Sequence, residues 1–294
     1  MSKNRFYISI VLAMLFWSFS FIWTGMALES FRPVTLILLR LIIASILLFL
    51  VGKATKKFQP LNRTDIKWFI LLAFFEPYLY YMGETYGLTM VDPTLAAVII
   101  STIPLFAPFM AWVLLGERIK PNNILGIIVS LLGVFLVVYE PNDIHADYRG
   151  LLLLFLAVFS SIFYTTTLRK IPPHYSPLNI IFYQSLLGLI FFIPTFVLVD
   201  SKTIATLSIT SNAIVALFML AVFASVIAFV LFAGTVRKIG VAKSNVFVNL
   251  IPVFTAIFSW LILDEQLTLV KWLGIAIVVL GLFVSQISRK TNTV

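Results

Sequence analysis

The 294-residue chain has no cysteine, only two histidines, and charged side chains at just 11% of its positions. The missing cysteine excludes a disulfide framework, a thiolate metal site and a cysteine nucleophile. His145 and His174 both fall in polar breaks between apolar runs, which leaves little for a metal centre or a histidine-based triad. Gly-rich phosphate cradles are also lacking. The LGI and LLG triplets sit inside apolar runs and read as helix-packing glycines, so ATP-driven work by this chain alone is not expected. No cofactor and no metal are called for.

Apolar residues fill the space that charge leaves. A soluble domain is about 45–50% apolar and about 25% charged, whereas 61% of this chain is hydrophobic. That much apolar surface cannot all be buried inside one chain, so lipid must solvate the exterior. A spanning helix needs roughly 20 mostly apolar residues. Cutting at charged, Pro- and Asn-containing breaks gives ten such runs, near 6–28, 33–51, 67–87, 93–115, 122–139, 149–168, 177–199, 211–235, 241–263 and 270–287. The first follows Lys3 and Arg5 directly, shows no small-residue cleavage site and is long enough to span, so it reads as a transmembrane helix and not a removed signal. The expected fold is an all-α integral membrane protein.

The net charge of +9 invites a nucleic-acid reading, but its distribution argues for topology. With the N-terminus cytoplasmic, 16 of the 21 Lys and Arg residues fall in inner segments. Only Arg32, Arg149, Lys202 and Lys271 fall in outer loops, and Arg40 lies within a span. The positive-inside rule then places both termini in the cytoplasm, and no nucleic-acid partner is needed.

Sliding the chain by 148 residues lays IPLFAPFMAWVLLGERI (103–119) on IPVFTAIFSWLILDEQL (251–267) without a gap. Pro104 meets Pro252, Phe106 meets Phe254, Trp112 meets Trp260 and Glu117 meets Glu265; Leu132-Gly133 then falls on Leu280-Gly281. Shared apolarity explains matched leucines but not Pro, Trp, Glu and Gly all keeping register. Each half, 1–139 and 150–294, holds five spans, and the linker 140–149 joins them outside. An odd number of spans inverts the second half relative to the first, a recurring plan of secondary transporters with a site near the midplane. Both repeats are present in one chain, so oligomerisation is not required to complete the bundle.

The paired segments 104–133 and 252–281, with GERI at 116–119 and DEQL at 264–267, resemble the EamA family of the drug/metabolite transporter superfamily. Asp264 departs from that pattern, where Gly is usual. The resemblance covers about 9–138 and 150–286. It implies a ten-helix bundle of two inverted repeats around a central cavity, and export of a small metabolite or amino acid across a bacterial inner membrane. It is nearly silent on which substrate.

Candidate site residues follow from depth. A carboxylate in a span costs roughly 2.5–3.5 kcal/mol on insertion scales, yet FFEPYLYYMGET (74–85) carries Glu76 and Glu84. At about 100° per residue, Tyr80 falls between them on one broad face, which should line a cavity or a protein interface. Arg40, about 10 Å below the outer surface, lies at a depth between the two and can serve as a structural ion-pair partner or as a pathway charge. A carboxylate held away from water can also exchange a proton for substrate, which makes protons a candidate coupling partner. Trp17, Tyr80 and Tyr164 lie deeper than an interfacial aromatic belt and can bracket a substrate or simply pack. Asn249 is the leading amide for substrate contact, because burying an amide without a partner is costly. Pro77, Pro104 and Pro252 are candidate hinges or static kinks. A small-molecule substrate and the lipid bilayer are the expected partners. Two other classes stay open: a transporter-derived sensor or scaffold, and a membrane enzyme using Glu76 and Glu84 as an acid/base pair.

Overall fold

The computed structural model describes residues 3–106, 121–138, 147–168, 170–202, 208–239, 246–264 and 266–286, and among these every regular element is helical. In chain order they are α1 (Lys3–Leu28), α2 (Pro33–Ala54), α3 (Ile66–Ala73), a π segment Phe74–Leu79, α4 (Tyr80–Gly87), α5 (Pro93–Ile100), α6 (Pro121–Val138), α7 (Tyr148–Leu168) and α8 (Pro177–Val199). Then come α9 (Ser211–Met219), a π segment Leu220–Ala228, α10 (Phe229–Ile239), a 3-10 turn Val246–Asn249, α11 (Leu250–Ile262) and α12 (Leu269–Gln286).

Five of these runs are continuous, apolar and long enough to cross a bilayer: Phe6–Leu28, Pro33–Ala54, Tyr148–Leu168, Pro177–Val199 and Ser211–Thr235. Shorter apolar helices cover Pro93–Phe106, Ile124–Gly133, Leu250–Ile262 and Leu269–Gly281. The exterior is apolar, with Leu152, Ile190, Leu198 and Leu269 all strongly exposed. On a soluble protein such surface would drive association; in hydrocarbon it costs nothing.

The packing is reciprocal. Two helices lie against their own 148-residue counterparts, α6 on α12 and α2 on α8, and α5 of the fourth span packs on α11 of the ninth. The remaining main contacts come in matched sets. α4 packs on α7 as α10 packs on α1, and the fourth and ninth spans pack on α7 and α1 through α5 and α11. Very close backbone approach marks two of these seams. A Cβ at Gly83 would lie 2.4 Å from the Leu153 carbonyl oxygen of α7, and one at Gly133 would lie 2.6 Å from the Val278 amide nitrogen of α12.

Polar clasps join the two halves at both ends of α2. At its start, Asp200 Oδ2 accepts from the Thr35 amide and the Thr35 hydroxyl, each at 2.9 Å. Asp200 therefore caps an N-terminus whose free N–H groups favour a carboxylate. Beside it, Ser30 and Thr210 share a hydrogen bond of 3.2 Å. About 30 Å away, past the end of this 22-residue helix, a second clasp holds 57–65 against 174–183. Asn179 Nδ2 donates to the Lys57 carbonyl at 2.7 Å, Gln59 Nε2 to the His174 carbonyl at 2.7 Å, and the Tyr183 hydroxyl to the Gln59 carbonyl at 2.6 Å.

Candidate functional site

The third span is broken at its glutamate. Glu76 has extended backbone angles, φ −144° and ψ 116°, inside an otherwise helical run, and its peptide bond to Pro77 is cis. A residue before proline is driven out of the α region, and the proline itself supplies no N–H to the helix ladder. Across the break the Phe75 carbonyl accepts from the Tyr80 amide and also from α7, where the Ser160 hydroxyl donates to it at 2.6 Å. Room for the Pro77 ring comes from Gly188 of α8, where an added Cβ would approach Pro77 Cγ to 2.6 Å. The break turns Glu76 towards the interior, where it lines a cavity at only 5% exposure.

That cavity holds about 670 Å³ of space not filled by atoms, part of it open to its surroundings. Its lining comes from both halves of the chain. α1 contributes Trp17, Ser20 and Phe21, α2 Arg40, the break Glu76, and α4 Tyr80, Tyr81 and Glu84. From the second half, α7 adds Ser161, Tyr164 and Thr165, and Phe229, Phe232, Val248 and Ile251 complete the lining with Ile100 and Ile103 of the first half.

Glu76, Glu84, Arg40, Tyr80, Trp17 and Tyr164, six residues singled out in the sequence, thus surround one space. The pairing expected of Arg40 differs. Its Nε donates to the Ser225 hydroxyl, and its guanidinium lies 4.2 Å from the centroid of the Tyr81 ring. Glu84 instead accepts from the Tyr80 hydroxyl at 3.1 Å, one helical turn away. Trp17 packs against Phe229 and Phe232 at ring-centroid distances of 5.1 and 4.8 Å.

Pro104 and Pro252 do not bend a continuous helix. The fourth span stops after Ile100, turns at Ser101–Thr102 and restarts, so Pro104 falls at the head of the new segment. The ninth passes through the 3-10 turn Val246–Asn249, and Pro252 is the third residue of α11. Proline is tolerated there because first-turn amides have no intrahelical acceptor. Hydroxyls satisfy the carbonyls at the first break: Ser101 donates to Val98 O at 2.7 Å and Thr102 to Ile99 O at 2.6 Å. Both prolines are buried. Asn249 closes the 3-10 turn between the lining residues Val248 and Ile251, while its side chain lies outside the described residues. Trp112, Glu117 and Glu265 also lie outside them.

Sequence reasoning missed Ser225, Tyr81, Ser161 and Thr165. A faint signal existed for Ser225, the one hydroxyl in the apolar run LAVFASVIA. Ser161, Tyr164 and Thr165 share one face of α7 by their i, i+3, i+4 spacing.

A family model described as the EamA-like transporter family matches this chain over residues 4–139 and again over 148–286. The chain belongs to the EamA-like transporter family. It is therefore a multi-pass membrane transporter. Among similar proteins is the uncharacterized transporter YetK of Bacillus subtilis (strain 168), 30% identical over 258 residues that cover 86% of this chain and 78% of YetK. An uncharacterized transporter of Archaeoglobus fulgidus is 26% identical over 281 residues, covering 95% of this chain and 97% of that one. A solved crystal structure with 16% identity superposes with a TM-score of 0.70, covering 97% of this EamA-like chain and 99% of the other. That likeness concerns the fold alone.

Proposed function

We propose that this EamA-like protein is a secondary transporter that exports a small metabolite or amino acid by alternating access, with proton exchange at a cavity glutamate as the coupling step. The observation that carries the reading is the cavity itself, in which two carboxylates, a guanidinium and an aromatic cluster converge on one space lined from both halves of the chain. A sensor or scaffold has no use for polar groups held at such cost in the bundle interior. An enzyme using Glu76 and Glu84 would need a further electrophilic or nucleophilic partner, and among the described residues the lining offers one already engaged guanidinium and hydroxyls.

The repeats, 1–139 and 150–294 with the linker 140–149 between them, are the moving bodies, inverted with respect to each other. The reciprocal helix contacts support this reading, as do clasps between the halves at both ends of α2. Pro77, Pro104 and Pro252 stand beside backbone breaks that concentrate rotation, and Asn249 offers an amide at one of them. The charge bias supports a bacterial inner-membrane orientation with both termini in the cytoplasm. Drive comes from a gradient, since the sequence contains no phosphate-cradling loop.

The test is a thermal-shift screen of the purified protein against metabolites at several pH values, with each hit carried into proteoliposomes under imposed pH gradients. Substrate flux is expected to follow the gradient and reverse with it. Flux that is indifferent to the gradient contradicts proton exchange, and a screen whose hits never cross the membrane contradicts transport.

A further inference from the structure

The cavity has an unbalanced charge inventory. Among the described residues, Glu76 and Glu84 face one cation, Arg40, and no other Asp, Glu, Lys or Arg lines the cavity. The three charges are not equally engaged. Arg40 is held by the Ser225 hydroxyl and the Tyr81 ring face, and Glu84 has the Tyr80 hydroxyl as donor. Glu76 receives no hydrogen bond from the described residues, although it is only 5% exposed. A second polar group lies on the same lining: Tyr164, 3% exposed, has a buried hydroxyl that makes no hydrogen bond within normal limits, with Gln184, whose Oε1 is likewise unpartnered, as its side-chain neighbour. A buried carboxylate with no donor and a buried hydroxyl with no normal hydrogen bond are both costly to maintain. One ligand group that donates several hydrogen bonds and carries positive charge relieves both.

We propose that the cavity takes a small organic cation, a primary or secondary ammonium carried on an apolar, preferably aromatic, body. Glu76 accepts one ammonium N–H and the Tyr164 hydroxyl accepts another, an arrangement that suits a head group with donors and no acceptors. The Trp17–Phe229–Phe232 cluster holds the body, and Trp17 and Tyr80 offer ring faces to the charge. Anions are disfavoured by the excess of carboxylates. A zwitterion would need Arg40 for its own carboxylate, which means drawing the guanidinium away from Ser225 and Tyr81. The inference deepens the transporter reading and rests on it only for transport, since binding can be measured without flux.

Four probes sharing one phenylethyl body separate the possibilities: 2-phenylethylamine, phenylalanine, 3-phenylpropanoate and 2-phenylethanol. Binding to the purified full chain is read by quenching of tryptophan fluorescence at neutral pH. The amine is expected to bind about tenfold or more tightly than the other three, the scale of one well-placed charge contact. Glu76→Gln should weaken the amine about tenfold or more and leave 2-phenylethanol unchanged. Tyr164→Phe, which keeps the ring, should weaken it about fivefold and provides the answer if the glutamine variant does not fold. Tighter binding of phenylalanine or 3-phenylpropanoate overturns the inference, as does amine binding that neither variant alters, or no amine binding up to its solubility limit. In proteoliposomes, Glu76-dependent amine binding without flux upholds the cation site and removes the transporter reading. Flux that prefers the zwitterion or the anion upholds transport and removes the cation site.

Discussion

Glu76→Gln is expected to cut substrate flux in proteoliposomes by about a hundredfold or more, while the melting temperature of the purified protein stays level or rises. The two directions follow from the same contacts. Glu76 stands at a backbone break, faces the cavity and has no hydrogen-bond donor among the described residues. A carboxylate in that position is unfavourable for the fold, so a neutral side chain of nearly the same shape relieves a cost. Its use lies in what it does for a ligand or a proton, and losing one member of a buried charge contact costs about 2–5 kcal/mol. A purely structural glutamate behaves differently: its removal lowers melting temperature, and flux falls only with the amount of folded protein. Parallel melting and flux curves on the same preparations separate the two outcomes.

Gly83→Val carries the largest expected effect on stability, about 3 kcal/mol of destabilisation. Gly83 lies on α4 where it crosses α7, and even a bare Cβ there would meet the Leu153 carbonyl oxygen at 2.4 Å and the Ala157 amide nitrogen at 3.0 Å. Both neighbours are backbone, so no side chain can turn aside and the helices must separate. Separation would also carry off Glu84, the next residue, together with its hydrogen bond from Tyr80. Gly25 of α1 is the matched control, because nothing lies within 4 Å of a Cβ added there. Gly25→Ala should leave the melting temperature unchanged or raise it slightly through better helix propensity. Equal melting temperatures for Gly83→Val and the parent chain would contradict the close crossing of α4 and α7.

Much of this architecture is legible in the residues because the bilayer restricts the answers. Hydropathy sets the spans, and a charged residue within a span must face inward. Depth along a helix then follows from 1.5 Å per residue. These rules suffice to place Glu76, Tyr80, Glu84 and Arg40 at comparable levels, and the structure puts all four on the lining of one cavity. They do not reveal what a side chain touches across the bundle. Arg40 reads as an ion-pair partner or as a pathway charge, and neither reading points to its hydrogen bond with Ser225, a single hydroxyl in the π segment Leu220–Ala228. No periodicity marks that residue, because a π segment rotates the helix face relative to the 3.6-residue repeat.

Helix breaks are the other gap. A proline inside an apolar run signals a kink wherever the run is taken as one helix. Pro77 fits that reading, with the disruption falling on Glu76 just before it. At Pro104 the helix has already stopped after Ile100, and Pro252 follows a 3-10 turn; each proline lies in the first turn of the next segment. The hydroxyls of Ser101 and Thr102, which satisfy carbonyls at one such break, resemble ordinary interhelical hydrogen-bonding groups in sequence. Gly83 gives no sign of its role either, since a glycine needed for close approach and one free of it, Gly25, look alike without the neighbouring helix.

The absence of cysteine from the whole chain allows the central claim to be tested with one added thiol. Thr165 lines the cavity from α7, and its hydroxyl bonds only within that helix, donating to the Ser161 carbonyl at 2.7 Å. Thr165→Cys in oriented proteoliposomes, treated from one face at a time with a membrane-impermeant maleimide, reports which side the cavity opens to. Labelling from each face in turn, slowed from both by a transported substrate, is the result that alternating access through this cavity predicts. Labelling from one face only under every gradient and ligand condition, or from neither, would contradict it.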